Sequence, residues 1–144
     1  HGLWNGIGPG SIPCTTEHHV PIHRVPDIFK AFEKWEEENR PLLEKAGAFS
    51  GVSTAILCGH TTVEVDSGLL VWDKPELREL NRKLWISQLQ MVIKAGGMPY
   101  MTGEVYSQAL VDTGAFSGPY FEFLRTLKNA LDPNRILSPG KYRL

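Results

Sequence analysis

Several features that would quickly place a protein in a class are scarce in this sequence. It has two cysteines, Cys14 and Cys58, which are too few for a disulfide scaffold, so we expect two reduced thiols. Its formal net charge of −1 lacks the strong positive field of a general nucleic-acid binder. No apolar run approaches the ~20 residues that a transmembrane helix needs. No basic start followed by an apolar stretch marks a secretory signal. We therefore expect a cytoplasmic protein that binds neither nucleic acid nor membranes.

The sequence does contain enough apolar material for one globular core. Its 144 residues are 42% apolar, and a chain of this length buries roughly 68–70% of its unfolded surface. Residues 1–26 are rich in Gly and Pro, so we expect an irregular segment with one short strand near residues 18–22. A helix then begins at Pro26, kinks or restarts at Pro41, and ends at Gly47.

The middle of the chain predicts a hairpin followed by a second helix. Residues 51–58 and 62–72 read as strands, and the alternation of valines with polar residues in the second strand places one face on a core. The three-residue link between them is short enough for an antiparallel hairpin. Asp73 can cap the next helix, with Glu76 three residues later as in a capping box, and two glycines at 96–97 end it.

The C-terminal third predicts a third helix over residues 119–131, which Asp132 and Pro133 stop. The apolar residues of the stretch 98–116 follow no clear periodicity. Two antiparallel strands are too few to stand alone, so a third strand is expected from residues 18–24 or 99–106. The sequence therefore predicts an α+β fold in which helices cover one face of a small antiparallel sheet.

One N-terminal cluster holds residue types that ligate metals. Its members are Cys14, Glu17, His18, His19 and His23. Their spacing has no close match to a known zinc pattern, and the adjacent His18 and His19 would point to opposite faces of a strand. We therefore predict no metal site.

A second stretch combines aromatic and thioether side chains with glycine and polar residues. Its members are Met98, Tyr100, Met101 and Tyr106, with Tyr120 further along. Core filling and a cavity wall explain such a composition equally well, since pockets combine apolar walls with a few polar groups.

Two C-terminal segments carry a family resemblance. Residues 95–102 read AGGMPYMT, and residues 127–141 read LKNALDPNRILSPGK. The second, with its Asp-Pro-Asn-x-Ile run and its Pro-Gly-Lys end, resembles the C-terminal end of flavin-dependent oxidoreductases of the vanillyl-alcohol oxidase and p-cresol methylhydroxylase family. The order of elements before it is also similar, so the resemblance covers roughly residues 15–143.

The resemblance implies a division of the chain. Residues 1–14 would be an irregular N-terminal segment, and residues 15–116 part of the cap, or substrate, domain with a ferredoxin-like half. Residues 117–144 would be a helix and tail that return to a flavin domain. FAD would be bound mainly by that other domain, so the isolated chain would be inactive. A start at His1 rather than Met fits this interpretation.

The resemblance also implies the site residues. Tyr100 matches the family tyrosine that holds a phenolate, and is the predicted catalytic residue. Met101 stands where the family has an arginine, and a thioether cannot replace a guanidinium charge. The predicted neighbours in the substrate pocket are Met101, Glu104, Tyr106, Asp66 and His60. Because residues 61–72 contain no His or Tyr, we predict that FAD is not covalently attached through them.

The function implied is hydride transfer to FAD from a small substrate, either a para-substituted phenol or another alcohol. The expected partners are an FAD-binding domain or subunit and the small-molecule substrate, with a homo-oligomer as a further option. Two alternatives remain: a stand-alone ligand-binding or assembly module without catalysis, and a small metalloenzyme built on the N-terminal cluster.

Overall fold

The computed structural model describes residues 10–100, 103–115, 118–141 and 144, with residues 53–58 described by their backbone alone. The chain divides into two compact units, His1–Met101 and Thr102–Leu144. The elements, in chain order, are β1 (Ser11–Thr15), β2 (His18–Pro21), α1 (Val25–Ala46), β3 (Phe49–Cys58), β4 (Thr62–Trp72), α2 (Arg78–Lys94), β5 (Met98–Pro99), α3 (Glu104–Asp112) and α4 (Gly118–Leu131). The predicted α+β class, with a small antiparallel sheet, is confirmed.

The sheet is organised around β4, its longest strand. One edge of β4 pairs with β3 as the predicted hairpin, and the other edge pairs with β2 over residues 62–65 and then with β1 over residues 68–72. β5 extends the sheet beyond β2. All of these pairings are antiparallel, so both expected sources of a third strand contribute to the sheet.

Two long helices bury their apolar sides against one face of this sheet. The first core cluster joins Val20 and Val65 to Ile28 and Phe32 of α1 and Val92 of α2. A second cluster joins Leu69 and Val71 of β4 to Trp35, Ala46 and Leu84. None of the helices within the described ranges has the length and apolar character needed for a membrane span.

The α1 helix begins one residue before Pro26 and ends at Gly47, which has a left-handed φ of 58°. A restart at Pro41 is wrong, because the helix continues through it. Pro41 and Glu37, whose carbonyl loses its usual amide partner, are both exposed, so water can satisfy the freed group.

The α2 helix starts later than predicted. Asp73 does not cap it; a 3₁₀ turn over Pro75–Leu77 precedes the helix, and no side chain caps its first residue. Asp73 Oδ1 instead accepts hydrogen bonds from Nε and from one terminal nitrogen of Arg78, at 3.1 and 3.0 Å. The ion pair replaced the expected cap.

Two elements were not predicted. Residues up to 14 were expected to be irregular, yet Ser11–Thr15 form β1; Pro13 is tolerated because β1 is an edge strand and Pro13 is exposed there. α3 lies in the stretch that showed no clear period, and four of its nine residues are buried.

Gly68 marks the point where the partner of β4 changes from β2 to β1. Its φ is 157°, and a Cβ placed there would lie 2.6 Å from the Cys14 carbonyl oxygen. One residue earlier, the Thr16 amide donates to the Ser67 carbonyl at 2.7 Å. The chain can therefore cross from β1 to β2 only because position 68 has no side chain.

A buried polar network lies beneath this crossing. The hydroxyls of Thr16 and Ser67 are 2.8 Å apart, and Thr16 donates to Gln88 Oε1 at 3.2 Å. Gln88 Nε2 in turn donates to Ser50 Oγ at 3.1 Å. The network ties β3, β4 and the link between β1 and β2 to one residue of α2.

His18 is fully buried beside this network. Its Nδ1 lies 2.7 Å from the Thr16 carbonyl oxygen, which can only accept, so Nδ1 carries the proton. Its Nε2 has no hydrogen-bond partner among the described residues. Burial lowers the pKa of His18 to about 4, although the Thr16 bond opposes that shift. The imidazole is therefore neutral at pH 7.

We expect Gly68→Ala to lower the free energy of unfolding by about 2 kcal/mol or more, because the new methyl group overlaps backbone atoms that cannot move independently. Urea unfolding of the chain measures the loss. Gly51→Ala is the matched control, since Gly51 pairs with Gly68 and its Cβ would meet only the exposed Phe49 ring, at 3.3 Å. Equal losses in the two variants would contradict the steric argument.

We expect His18 to make the fold sensitive to acid. Its folded pKa of about 4 lies below the unfolded value of 6.5, so unfolding takes up a proton between these values. The stabilisation is complete above pH 6.5 and is lost as the pH falls toward 4, by about 3 kcal/mol in total. Urea midpoints at pH 7.5 and 4.5 should therefore differ less in His18→Gln than in the parent chain.

The exposed His60, changed to Gln, is the control and should keep the parent pH dependence. If His18→Gln does not fold, an NMR titration of the parent chain gives the same information. A His18 ring that titrates near pH 6.5 in the folded chain would refute the explanation.

Candidate functional site

The sheet face opposite α1 and α2 carries several polar side chains that lie close together. Side chains alternate along a strand, so His18 and Val20 lie on the helix side, whereas Glu17 and His19 lie on the other. We call this other side the acidic face and define it by Glu17, His19, Glu64, Asp66 and Tyr100.

Strand pairing places these five residues next to one another. His19 is the cross-strand partner of Glu64, and the same register puts Glu17 beside Asp66. β5 extends this face beyond β2. His19 pairs with Met98 of β5, and the amide of the next residue after β5, Tyr100, donates to the Glu17 carbonyl at 2.9 Å. The rings of His19 and Tyr100 are in contact, with centroids 5.2 Å apart and planes tilted by 34°.

Burial and two neighbouring carboxylates affect the titration of Glu17. Partial burial raises the pKa of Glu17, and the negative charges of Asp66 and Glu64 raise it further. Glu17 therefore keeps a proton at a higher pH than an exposed glutamate does. A protonated carboxyl can donate a hydrogen bond, and an ionised one can accept a proton, so the acidic face can hold and move a proton.

The structure brings together two of the predicted site residues within the first unit. Tyr100 and Asp66 share the acidic face, and Tyr100 is 54% exposed. His60 lies exposed in the β3–β4 turn. Glu104 and Tyr106 belong to α3 in the second unit, where Glu104 accepts from Gln108 at 2.7 Å and Tyr106 is buried. Met101 lies outside the described residues.

Sequence reasoning missed three members of the acidic face: Glu17, His19 and Glu64. The two from the N-terminal segment were considered only as metal ligands. The alternation of Glu64 with buried valines was the available signal, but it could not show which strand lies alongside. Among the described residues, no group of three or more His, Cys, Asp and Glu side chains is placed to hold a metal ion.

The C-terminal motif forms a clamp around one carboxylate. Asp132 Oδ1 accepts from the Ile136 amide at 2.9 Å, and Oδ2 accepts from the Leu137 amide at 3.0 Å. Lys128 pairs with Oδ2 at 2.5 Å and also donates to the Leu137 carbonyl. The lysine bond is the largest cause of a lowered pKa at Asp132, and the two amides lower it further.

These contacts explain why an Asp stands directly after α4 in the C-terminal motif. The Asp132 amide still bonds to the Lys128 carbonyl at 2.8 Å, so the residue is fixed by the last turn of α4. Arg135 and Ser138 have positive φ values of 52° and 44°, a conformation that costs energy for non-glycine residues. The carboxylate holds the chain through this strained turn.

The clamp leaves apolar side chains on the outside. No residue of α4 is buried. The exposed apolar residues of this region, which we call the α4 surface, are Tyr120, Phe123, Leu127, Leu131, Ile136 and Leu137. Tyr120, Phe123, Leu127 and Leu131 recur every three or four residues, so they share one side of α4. Exposed apolar surface of this kind is typical of an interaction site.

One comparison with known proteins gives a match. The family model for the C-terminal domain of FAD-linked oxidases matches residues 3–142, which is nearly the whole chain. No curated protein and no solved structure matches it.

We expect Asp132→Ala to release the turn that follows α4. Without the carboxylate, the amides of Ile136 and Leu137 lose a charged acceptor and should exchange their hydrogens about tenfold faster. Amide exchange measured by NMR tests this. Asn134→Ala, in the same exposed turn, should leave both rates unchanged. Since the pKa of Asp132 is lowered, the protection should persist through the usual aspartate range and disappear as the pH falls below it.

Proposed function

We propose that this chain, which belongs to the family of FAD-linked oxidase C-terminal domains, forms the substrate side of the active site of a flavin oxidoreductase. Membership of the family implies FAD use and an FAD-binding domain as partner. The finer part of the proposal is the reaction: hydride transfer from a small phenolic or other alcohol substrate to FAD. The acidic face is the observation that supports it.

The acidic face has the composition that such a reaction needs from the protein. Hydride leaves either the carbon that bears the hydroxyl of an alcohol or the benzylic carbon of a para-substituted phenol. In both cases a protein group must take up the hydroxyl proton or stabilise the charge that develops on the oxygen. Tyr100 offers a half-exposed hydroxyl donor beside His19, and Glu17 offers a carboxyl with a raised pKa. Such groups placed in advance toward the developing charge lower the barrier.

The described residues fit one part of FAD and not another. The carboxylates Glu17, Glu64 and Asp66 would repel the FAD diphosphate. A neutral isoalloxazine ring could face the rings of Tyr100 and His19 without that repulsion. The diphosphate is therefore assigned to the FAD-binding domain. That FAD is not covalently attached through residues 61–72 stays a prediction.

FAD supplies hydride acceptance when it is bound, and the chain supplies the rest. Tyr100 orients the substrate oxygen by a hydrogen bond from its hydroxyl. His19 fixes the direction of the Tyr100 ring, and Glu17 takes the released proton. Met101 brings no cation to this site, so the substrate hydroxyl would stay neutral until the reaction begins. This favours an alcohol or a neutral phenol over a bound phenolate.

The α4 surface supports the partner in the proposal. An apolar helix face next to an ordered turn is suited to packing against another folded domain. The FAD-binding domain is the partner that the family requires. We therefore assign residues 117–144 to contact with that domain, as the resemblance implies.

We expect Tyr100→Phe to slow flavin reduction by at least about tenfold, the scale of one lost polar contact in the transition state. The measurement uses the enzyme that contains this chain and its FAD-binding domain, mixed anaerobically with 4-hydroxybenzyl alcohol or benzyl alcohol. Loss of visible flavin absorbance reports the rate.

Lys34→Gln is the control, because Lys34 is exposed on α1, on the other side of the sheet from the acidic face, and the change should leave the rate as it is. Bound FAD is quantified in each variant, so a lost cofactor is not mistaken for lost chemistry. An unchanged rate in Tyr100→Phe removes Tyr100 from the site. Failure of both alcohols to reduce the parent enzyme overturns the proposed substrate class.

A further inference from the structure

A pocket lies on the opposite side of the sheet from the acidic face, where β1 and the end of β4 meet α2. Its volume is about 230 Å³. We call it the tryptophan pocket and define it by Ile12, Trp72, Asn81, Arg82 and Trp85. Its volume lies below the 300–1,000 Å³ typical of sites for drug-sized ligands. It therefore suits a molecule with a single ring.

The walls of the tryptophan pocket present aromatic surface. Trp72 and Trp85 are both half-buried, and the Trp85 indole nitrogen donates to the Thr15 carbonyl at 2.7 Å. This bond fixes the Trp85 ring against β1. An indole held in this way offers a rigid apolar face at little cost in side-chain entropy, which favours a flat ligand.

One residue that lines the pocket, Asn81, carries a polar atom that lacks the hydrogen bond that burial requires. Asn81 is 6% exposed, and its Nδ2 donates to the Trp72 carbonyl at 3.2 Å. Because that carbonyl can only accept, the orientation of the amide is settled. The other atom, Oδ1, is a buried acceptor with no partner among the described residues. Such an acceptor is costly unless a donor reaches it.

The rim of the pocket carries an excess of positive charge. Arg78 is occupied by its ion pair with Asp73 at 3.0 Å, which neutralises both. Arg82 lies on the same side of α2, one turn further on, and has no ion pair with any residue that the structure describes. Its guanidinium can bind a carboxylate with two parallel hydrogen bonds.

We propose that the tryptophan pocket binds a small aromatic carboxylate that also bears an N–H or O–H donor. The ring lies between the two indoles, the carboxylate meets Arg82, and the donor satisfies Asn81 Oδ1. Binding is non-covalent. The one nucleophile in the wall is the Cys14 thiol, whose pKa burial raises to about 11, so it stays protonated. The site is separate from the acidic face and does not depend on the proposed reaction.

The test uses 4-aminobenzoate as the probe, with the full chain followed by NMR. Saturable binding is expected at or below about 1 mM. The indole N–H signals of Trp72 and Trp85 should shift, whereas that of Trp35, which donates to Ser87 outside this pocket, should not. Single Trp→Phe variants assign the signals.

Two fragments and two variants separate the contributions. Benzoate lacks the donor and should bind about tenfold more weakly. Aniline lacks the carboxylate and should bind about fivefold more weakly. Arg82→Gln should weaken binding of 4-aminobenzoate about fivefold, the upper range for an exposed ion pair. Lys83→Gln removes a neighbouring charge outside the pocket and should have no effect.

Both variants change exposed positions of a helix, so folding is not expected to fail. Equal affinities for 4-aminobenzoate and benzoate would overturn the role of Asn81. Equal effects of Arg82→Gln and Lys83→Gln would overturn the role of Arg82. No saturable shift at Trp72 and Trp85, or an equal shift at Trp35, would overturn the site itself.

Discussion

The close approach of two backbones at Gly68 is the constraint on which the first unit depends. β1 and β2 must share one edge of β4, and the chain between them must bend within two residues. A Cβ at position 68 would lie 2.6 Å from a carbonyl oxygen, so no other residue allows that path. Without it, β2 could not lie beside the first half of β4, and β5 would have no strand to pair with.

This path separates two neighbouring histidines into different environments. His18 becomes a neutral, fully buried part of the core, while His19 joins the carboxylates and Tyr100 on the acidic face. The same alternation gives the sheet an apolar side for α1 and α2 and a polar side that carries the candidate site. One strand, β2, therefore contributes both to stability and to the candidate site.

Much of the fold could be predicted from local patterns, since the hairpin, the long helices and the α4 stop are each encoded by periodicity or by turn residues. β1 was missed because prolines usually argue against strands, and its position on the sheet edge is a property of the tertiary structure. α2 began later than predicted because an arginine competed for the capping aspartate. The acidic face was missed in part because Glu17 and Glu64 lie far apart in sequence, and only strand pairing makes them neighbours. The roles of Tyr100, Asp66, Glu104, Tyr106, His60 and Met101 remain predictions.

The hydrogen bonds of Gln88 help to fix the register of the sheet. Its amide reaches Thr16 on one side of β4 and Ser50 of β3 on the other, so a one-residue shift of either partner along β4 would break a hydrogen bond. A one-residue shift of β2, which begins two residues after Thr16, would turn His18 outward and His19 inward. The arrangement of charges on the acidic face is thus maintained by uncharged side chains on the other side of the sheet.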